Sequence, residues 1–149
     1  MLVYRVFILL AFLLSGCVSV LPPESVEARR QLTEAVDALN QLDAAVAIPQ
    51  ADHSFRGLQP YYVTAIASLK SARRIADQRA TDAQGRLSER PAKIAVQAID
   101  NCMTAVDLLM QLNVTKALDP RDLDAFPVRS TCTIAKLIEG DLNREAGNG

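Results

Sequence analysis

Only a few side chains in this sequence are of types that could support catalysis. His53 is the only histidine, and it lies in a predicted loop whose other residues have no obvious catalytic role, so we expect it to be solvated. No spacing of histidine and cysteine suits zinc, and no glycine-rich loop could hold a phosphate. These observations predict a protein that is not an enzyme and that binds neither a metal nor a cofactor.

Three acidic residues, Asp119, Asp122 and Asp124, lie close together late in the chain. Carboxylates at such a spacing could bind calcium, but the segment lacks the turn glycine and the downstream bidentate glutamate of an EF-hand loop. We therefore interpret this segment as an acidic connector exposed to water.

Cys17 ends an apolar segment at the N-terminus of the chain. Arg5 supplies a positive charge, residues 6–14 are apolar, and the small residues Ser15 and Gly16 directly precede the cysteine. The apolar run is much shorter than the about 20 residues that cross a bilayer. This pattern is typical of a secretory signal with a cleavage site before Cys17. The alternatives are an ordinary signal peptide or an anchor helix that happens to contain a cysteine.

The tetrapeptide Leu14-Ser15-Gly16-Cys17 resembles the lipobox of bacterial lipoproteins. The resemblance covers residues 1–17 and implies removal of a signal peptide, 1–16, followed by attachment of acyl chains such as palmitate to Cys17. Residues 17–23 then form a lipidated tether to the bilayer, which more than one acyl chain makes stable. Because Val18 rather than aspartate follows the cysteine, the resemblance also implies an outer-membrane location facing the periplasm.

The two remaining cysteines, Cys102 and Cys132, are expected to form a disulfide. They are an even pair in a compartment that the signal segment predicts to be oxidising. Closing the loop between them would stabilise the fold by about 3–4 kcal/mol in the chain-entropy interpretation. The alternative is a pair of buried free thiols, because unpaired cysteine is common in protein cores.

Composition and charge restrict the possible partners. Removal of residues 1–16 leaves 133 residues, enough for one domain, with 15 basic and 17 acidic side chains. No basic block or stripe is visible, so we expect neither nucleic acid nor anionic lipid as a partner. Abundant alanine and leucine, sparse glycine and the absence of tryptophan favour helices over strands.

Apolar residues recur at helical spacing in four segments, which predicts an all-α fold. We expect an up-down four-helix bundle over residues 24–143, with a shorter fourth helix, long connectors after helices 1 and 3, and a frayed tail at 144–149. The third helix has the widest apolar stripe and should be the most buried. The predicted helices cover residues 24–48, 60–84, 88–113 and 131–143, with one further helical turn near 116–118.

Several residues are expected to begin or end these helices. Pro60 should open the second helix, and Gly85 should end it in the left-handed conformation. Ser88 should cap the start of the third helix and Asn113 its end. Ser130 or Thr131 should cap the fourth.

All four aromatic residues after Cys17 lie in or next to the two long connectors. In an up-down bundle these connectors emerge at the same end, opposite the lipid, and exposed aromatics on loops are frequent interface anchors. The alternative is that the rings cover the top of the core. The predicted partner-binding residues are Phe55, Tyr61, Tyr62 and Phe126.

The sequence thus predicts a non-enzymatic lipoprotein that binds another envelope protein as an accessory or assembly factor. In architecture alone it is similar to the helical pilotins, which escort secretin subunits to the outer membrane. The alternative is a small-ligand carrier, or an enzyme without recognisable motifs, that uses a pocket inside the bundle. The small aliphatic core residues argue against it, because they offer no convergent polar groups to orient a ligand.

Overall fold

The computed structural model describes residues 25–146, with side chains up to residue 140; Cys17 and its lipobox lie outside the described residues. This part of the chain contains five helices and no strand, so the predicted all-α class is confirmed. One of the five helices is short and lies inside the connector that was predicted after the third helix. The helices are α1 (Val26–Val46), α2 (Phe55–Asp82), α3 (Glu89–Thr115), α4 (Pro120–Ala125) and α5 (Val128–Ala146).

The four long helices surround a common core. α1 packs against α2, α2 against α3, α3 against α5, and α5 against α1. The core is aliphatic and rich in alanine, because the side of α2 that faces inward carries alanine at four positions. These four alanines, 65, 72, 76 and 80, let the neighbouring helices approach closely. The largest fully buried apolar side chains are Tyr62, Leu32, Leu42, Leu58, Leu69, Ile99, Leu109 and Leu118.

The second helix begins at Phe55, not near Pro60 as predicted. The Ser54 hydroxyl caps its first turn by accepting a hydrogen bond from the N–H of Gly57 at 3.4 Å. A Cβ at Gly57 would overlap the backbone oxygen of Asp52, so only glycine fits there. The buried side chain of Leu58 extends the apolar stripe of α2 backwards by one turn. Proline was therefore a poor guide to this helix start.

Ser88 holds the N-cap position of α3 as predicted, because the helix begins at Glu89. Its buried hydroxyl nevertheless makes no capping hydrogen bond. Instead, the Glu89 carboxylate reaches back and accepts a hydrogen bond from the N–H of Gly85 at 2.8 Å. Gly85 has a φ of 72°, which confirms the expected left-handed residue after α2.

The last helix begins earlier than predicted and lacks the expected cap. It starts at Val128, and the hydroxyls of Ser130 and Thr131 donate to the carbonyl of Pro127 from inside the first turn. The helical turn expected near 116–118 is absent, and α4 follows it instead.

Contacts between helices define two ends of the molecule. The Arg29 guanidinium of α1 lies 3.7 Å from where a Cβ on Gly140 of α5 would stand, and Glu139 is ion-paired with Arg79 near the end of α2. The start of α1, the 83–88 connector and the last turns of α5 therefore share one end, called here the tether end. The far end contains residues 47–54 and 116–127, which are joined where the Leu118 N–H donates to the His53 carbonyl at 3.1 Å.

The third helix is less enclosed than its apolar stripe predicts. Ile94 of α3 is 45% exposed and Ile134 of α5 is 53% exposed, although both belong to the apolar stripes from which these helices were predicted. They line an open groove between the two helices, together with Ala98 and Ile138. Each helix buries only the part of its stripe that meets a neighbour, so the outer edges of two wide stripes remain in water.

Candidate partner-binding site at the far end

The loop before α2 is joined to the end of α3 through His53. Its carbonyl accepts hydrogen bonds from the Leu118 N–H and, at 3.0 Å, from the Asn113 side-chain amide. Its ring Nε2 lies 2.8 Å from the carbonyl oxygen of Ile48. Because these contacts are all to groups that shape the loop, His53 has a structural position in this fold.

Asn113 does not cap α3 as predicted, because the helix continues to Thr115. Its side chain is 2% exposed, and the amide donates both to His53 and, at 3.2 Å, to the carbonyl of Lys116. One buried asparagine therefore binds the two segments that form the far end.

The acidic connector forms a capped helix. The Asp119 carboxylate accepts from the N–H groups of Arg121 and Asp122, and the Asp122 carboxylate accepts from the N–H of Asp119. Lys116 donates to Asp122 at 2.6 Å, and this hydrogen bond, with that from the Asp119 N–H, holds the Asp122 pKa below its usual range. Two of the three acidic residues thus act as helix caps. Asp124 remains exposed.

Beneath α4 lies a cavity of about 280 Å³, called here the α4 cavity. Its apolar wall comes from α1, α3, α4 and the start of α5, because the 120–127 segment crosses the gap beside the first turn of α5. Its rim is polar and includes the ion pair between Asp43 and Arg129, at 2.8 Å. The lining residues are Leu39, Leu42, Asp43, Leu109, Leu123, Asp124, Phe126, Pro127, Val128, Arg129 and Ser130.

The predicted aromatic residues are near the far end, but they do not form one cluster. Phe126 lines the α4 cavity. Phe55 stacks on Tyr62 with ring centroids 6.1 Å apart, whereas Tyr61 lines a separate groove between α1 and α2. Phe55, Tyr61 and Phe126 are half-buried against the core.

Tyr62 is a core residue in this fold. Its side chain is 1% exposed, and its hydroxyl has no hydrogen-bond partner within the described part of the chain. Burial raises the pKa of the phenol far above its usual range. Of the four aromatics, Tyr62 therefore follows the alternative in which rings cover the core.

The disulfide between Cys102 and Cys132 is confirmed. The two sulfurs are bonded at 1.97 Å, both residues are fully buried, and their Cα atoms are 4.7 Å apart. The bond joins the middle of α3 to the first turns of α5, directly after the segment that forms the α4 cavity. It therefore fixes one side of the cavity wall.

A buried ion pair at the tether end was not predicted from the sequence. Arg79 of α2 donates from Nη1 to Glu139 of α5, and the two residues are 9% and 0% exposed. Arg79 Nε and Nη2 have no hydrogen-bond partner among residues 25–140. The signal was present in the spacing, because Arg79 follows Ala76 by three residues and Glu139 follows Ala135 by four, which places each charge on a buried stripe.

The described residues also bear on membrane crossing and on metal binding. Within residues 25–146, no helix combines the length and apolar character that a membrane crossing requires. The same part of the chain contains no group of three or more histidine, cysteine or acidic side chains that could hold a metal ion. The acylation expected at Cys17 falls outside it.

Comparison of the chain with models of protein families, with curated proteins and with solved structures gave no match.

Proposed function

We propose that this chain is a lipoprotein anchored by acylated Cys17 in the outer membrane, and that its far end binds another envelope protein as an accessory or assembly factor without catalysis. The observation that carries the proposal is the α4 cavity. It combines an apolar wall that includes Phe126 with a polar rim, which is the composition of a pocket for a side chain of a partner protein.

The size of the cavity favours a protein side chain over a free ligand. Pockets for small molecules usually measure about 300–1,000 Å³ and contain several polar groups that orient the ligand. At about 280 Å³, the α4 cavity lies at the lower limit of this range, and its polar lining residues are half-buried or exposed, which places them at the rim. One or two apolar side chains from a partner would fill it.

The rim would select a partner by charge. Asp43 and Arg129 neutralise each other at 2.8 Å, whereas Asp124 is exposed and has no ion pair among the described residues. A partner with a basic residue beside its apolar anchor would therefore bind best, because opposite charges at an interface rim increase the rate of association and its specificity.

The proposal includes an up-down order of the four long helices, with α4 as an addition to the last connector. Arg29 beside Gly140 and Asp43 paired with Arg129 support opposite directions for α1 and α5. The hydrogen bonds from the end of α3 to the loop before α2 support the same for those two helices. This order would direct the α4 cavity away from the lipid anchor.

The test is capture of a partner from detergent-solubilised envelopes by the full acylated protein. Asp124→Arg reverses the one unpaired charge on the rim without disturbing the core, so we expect at least about tenfold weaker capture at an unchanged melting temperature. Phe126→Ala should weaken capture too, with a modest loss of stability. The mass of the N-terminal peptide reports whether Cys17 carries acyl chains.

Asp107→Arg is the matched control, because Asp107 is an exposed aspartate of α3 outside the cavity lining. It should capture the partner as the unmodified protein does. Equal capture by Asp124→Arg and Asp107→Arg would contradict the assignment of the α4 cavity as the binding site.

A second candidate is a small-ligand carrier that uses the groove between α1 and α2. This groove, at about 740 Å³, is large enough for a small molecule and includes Tyr61. Its walls consist mainly of charged and polar residues, and Arg30 is already paired with Glu27 and Glu34. A ligand there would have to displace these ion pairs, so protein binding at the α4 cavity is the better-supported function. A small molecule that co-purifies and is released by Tyr61→Ala would favour the carrier.

A further inference from the structure

The 83–88 connector exposes a large apolar side chain at the tether end. Leu87 is 74% exposed, as is Val26 at the start of α1, and no other large apolar side chain among the described residues is more exposed. A single exposed leucine is common on protein surfaces. What distinguishes these two is that both lie at the end where the chain leads towards Cys17.

Leu87 is held in position by a closed turn. The Glu89 N–H donates to the carbonyl of Arg86 at 3.1 Å, and the Arg86 N–H donates to that of Ala83 at 3.0 Å. The Glu89 carboxylate also accepts from the Gly85 N–H. Leu87 therefore projects from the tip of a hydrogen-bonded turn.

Two arginines flank this leucine. Arg86 and Arg90 are exposed, and neither has an ion-pair partner in the described part of the chain. Of the nearby acidic groups, Glu89 is paired with Lys93, and Asp82 accepts a hydrogen bond at 2.9 Å from the uncharged amide of Gln78 and keeps its charge. The surface around Leu87 thus presents two guanidinium groups and one carboxylate outside ion pairs, beside an apolar side chain.

The length of the tether restricts how far this end can lie from a bilayer. Seven residues, 18–24, separate Cys17 from Ser25. A chain of this length spans at most about 28 Å when fully extended. The far end is about 30 Å further away, because α1 has 21 residues at about 1.5 Å each. The tether end therefore stays within reach of lipid headgroups in every orientation, whereas the far end approaches them only if the domain tips over.

We infer that the 83–88 connector is a second membrane contact, in which Leu87 enters the boundary between headgroups and acyl chains while Arg86 and Arg90 bind lipid phosphates. This inference rests on the proposed acylation of Cys17, which holds the tether end at the bilayer. One leucine and two cations are too few to recruit a protein from solution. They are enough to orient a domain that is already anchored, so that the α4 cavity faces away from the membrane.

A contact with anionic lipid was not expected from the sequence, because no basic block or stripe is visible along the chain. Arg86 and Arg90 form no such run, and they become a lipid-binding pair only because the turn places them around an exposed apolar tip at the anchored end.

A tryptophan reporter can test this contact, because the chain has no tryptophan of its own. Leu87→Trp is made in the full acylated protein, which is reconstituted into vesicles of phosphatidylethanolamine and phosphatidylglycerol with brominated acyl chains. The matched control is Val114→Trp, since Val114 is 63% exposed near the far end of α3. We expect at least about threefold stronger quenching at position 87 than at position 114. Adding Arg86→Gln and Arg90→Gln should reduce the quenching in these vesicles more than in phosphatidylcholine vesicles.

Equal, weak quenching at positions 87 and 114 would overturn the inference. The inference would also be overturned if bromolipid did not quench the tryptophan at position 87 but an added envelope fraction shielded it from iodide. A protein, and not lipid, would then cover the connector. The mass of the N-terminal peptide in the same sample tests the proposed anchor separately. If that mass shows no acyl chains, the proposed function fails and this inference fails with it, whereas acyl chains together with equal quenching at the two positions overturn the inference alone.

Discussion

The two ends of this molecule bury polar groups in different ways. At the far end, the buried amide of Asn113 donates to two backbone carbonyls, and the disulfide joins α3 to α5 nearby. At the tether end, the buried polar groups are a pair of opposite charges, Arg79 and Glu139, from helices distant in sequence. A neutral amide costs less to bury than two ions do. The tether end should therefore be more sensitive to loss of a single side chain.

The two ends also differ in what they leave exposed. The far end has a cavity with a polar rim, whereas the tether end has an apolar tip flanked by arginines. A cavity can accept a side chain of a partner protein, whereas a projecting leucine can insert into a lipid bilayer. The difference is what we expect of a domain that is anchored at one end and binds a protein at the other.

The largest effect on stability should come from the buried ion pair. Arg79→Leu leaves the Glu139 carboxylate buried without its guanidinium, and we expect the free energy of unfolding in urea to fall by about 3–5 kcal/mol. Replacing both residues by leucine should recover most of this loss. Arg73→Leu on the same helix is the control, because its ion pairs with Asp77 and Asp100 are exposed and worth about 1 kcal/mol or less. If Arg79→Leu and Arg73→Leu cost the same, the tether end is not organised by the buried pair.

The next effect should come from the disulfide. Cys102→Ala with Cys132→Ala is expected to lower the free energy of unfolding by about 3–4 kcal/mol, because the bond restricts the unfolded chain. Hydrogen exchange should show a larger loss of protection in residues 119–131 than in 83–88, since the bond adjoins the α4 cavity. Reductant should destabilise the unmodified protein and leave the double variant unchanged. A urea midpoint that does not respond to reductant would contradict this assignment.

A smaller effect is expected at Asn113. Asn113→Ala removes two hydrogen bonds, to the carbonyls of His53 and Lys116, and at about 0.5–1.5 kcal/mol for each bond we expect the free energy of unfolding to fall by about 1–3 kcal/mol. Hydrogen exchange should show the greatest loss of protection at the Leu118 amide. Asn101→Ala, at an exposed asparagine of the same helix, should be neutral. Similar losses from the two variants would mean that the far end does not depend on this buried amide.

The smallest effect should be that of acid, and it should be similar at both ends. The hydrogen bond from Lys116 and then the backbone lower the Asp122 pKa at the far end, and the bond from Lys93 and then the Gly85 N–H lower that of Glu89 at the tether end. A lowered carboxyl pKa stabilises the fold above the unfolded value, which is about 3.9 for aspartate and 4.3 for glutamate, and this contribution is lost as the pH falls through the lower folded value.

The protection factors of the Asp119 and Gly85 amides, which correct for the slower intrinsic exchange in acid, should therefore fall together between pH 5 and pH 3. Asp122→Asn and Glu89→Gln should each remove the pH dependence at their own end and leave it at the other. If one variant removed the pH dependence at both ends, acid would be unfolding the domain as a whole.

The disulfide was predictable from the sequence, because Cys102 and Cys132 are an even pair after Cys17. The segment 119–124 was expected to be an acidic connector exposed to water, whereas residues 120–125 form the capped helix α4. Helix starts were less predictable, because Ser54 and Asp119 are caps only by virtue of the hydrogen bonds they accept. Proline at position 60 was a stronger signal in sequence and was wrong, since the helix begins one turn earlier at Phe55. Serine at position 88 marked the start of α3 correctly, although its hydroxyl makes no capping hydrogen bond.

The sequence by itself determined the all-helical class, the spacing of the core residues and the pairing of Cys102 with Cys132, because helical periodicity and cysteine parity are properties of the chain. Only the tertiary structure decided that Arg79 meets Glu139, that Tyr62 is buried while Ile94 and Ile134 are exposed, and that a cavity lies beneath α4. The physical reason is the same in each case. Burial depends on which neighbour covers a given side of a helix, and a helix presents the same pattern whether or not a neighbour is there.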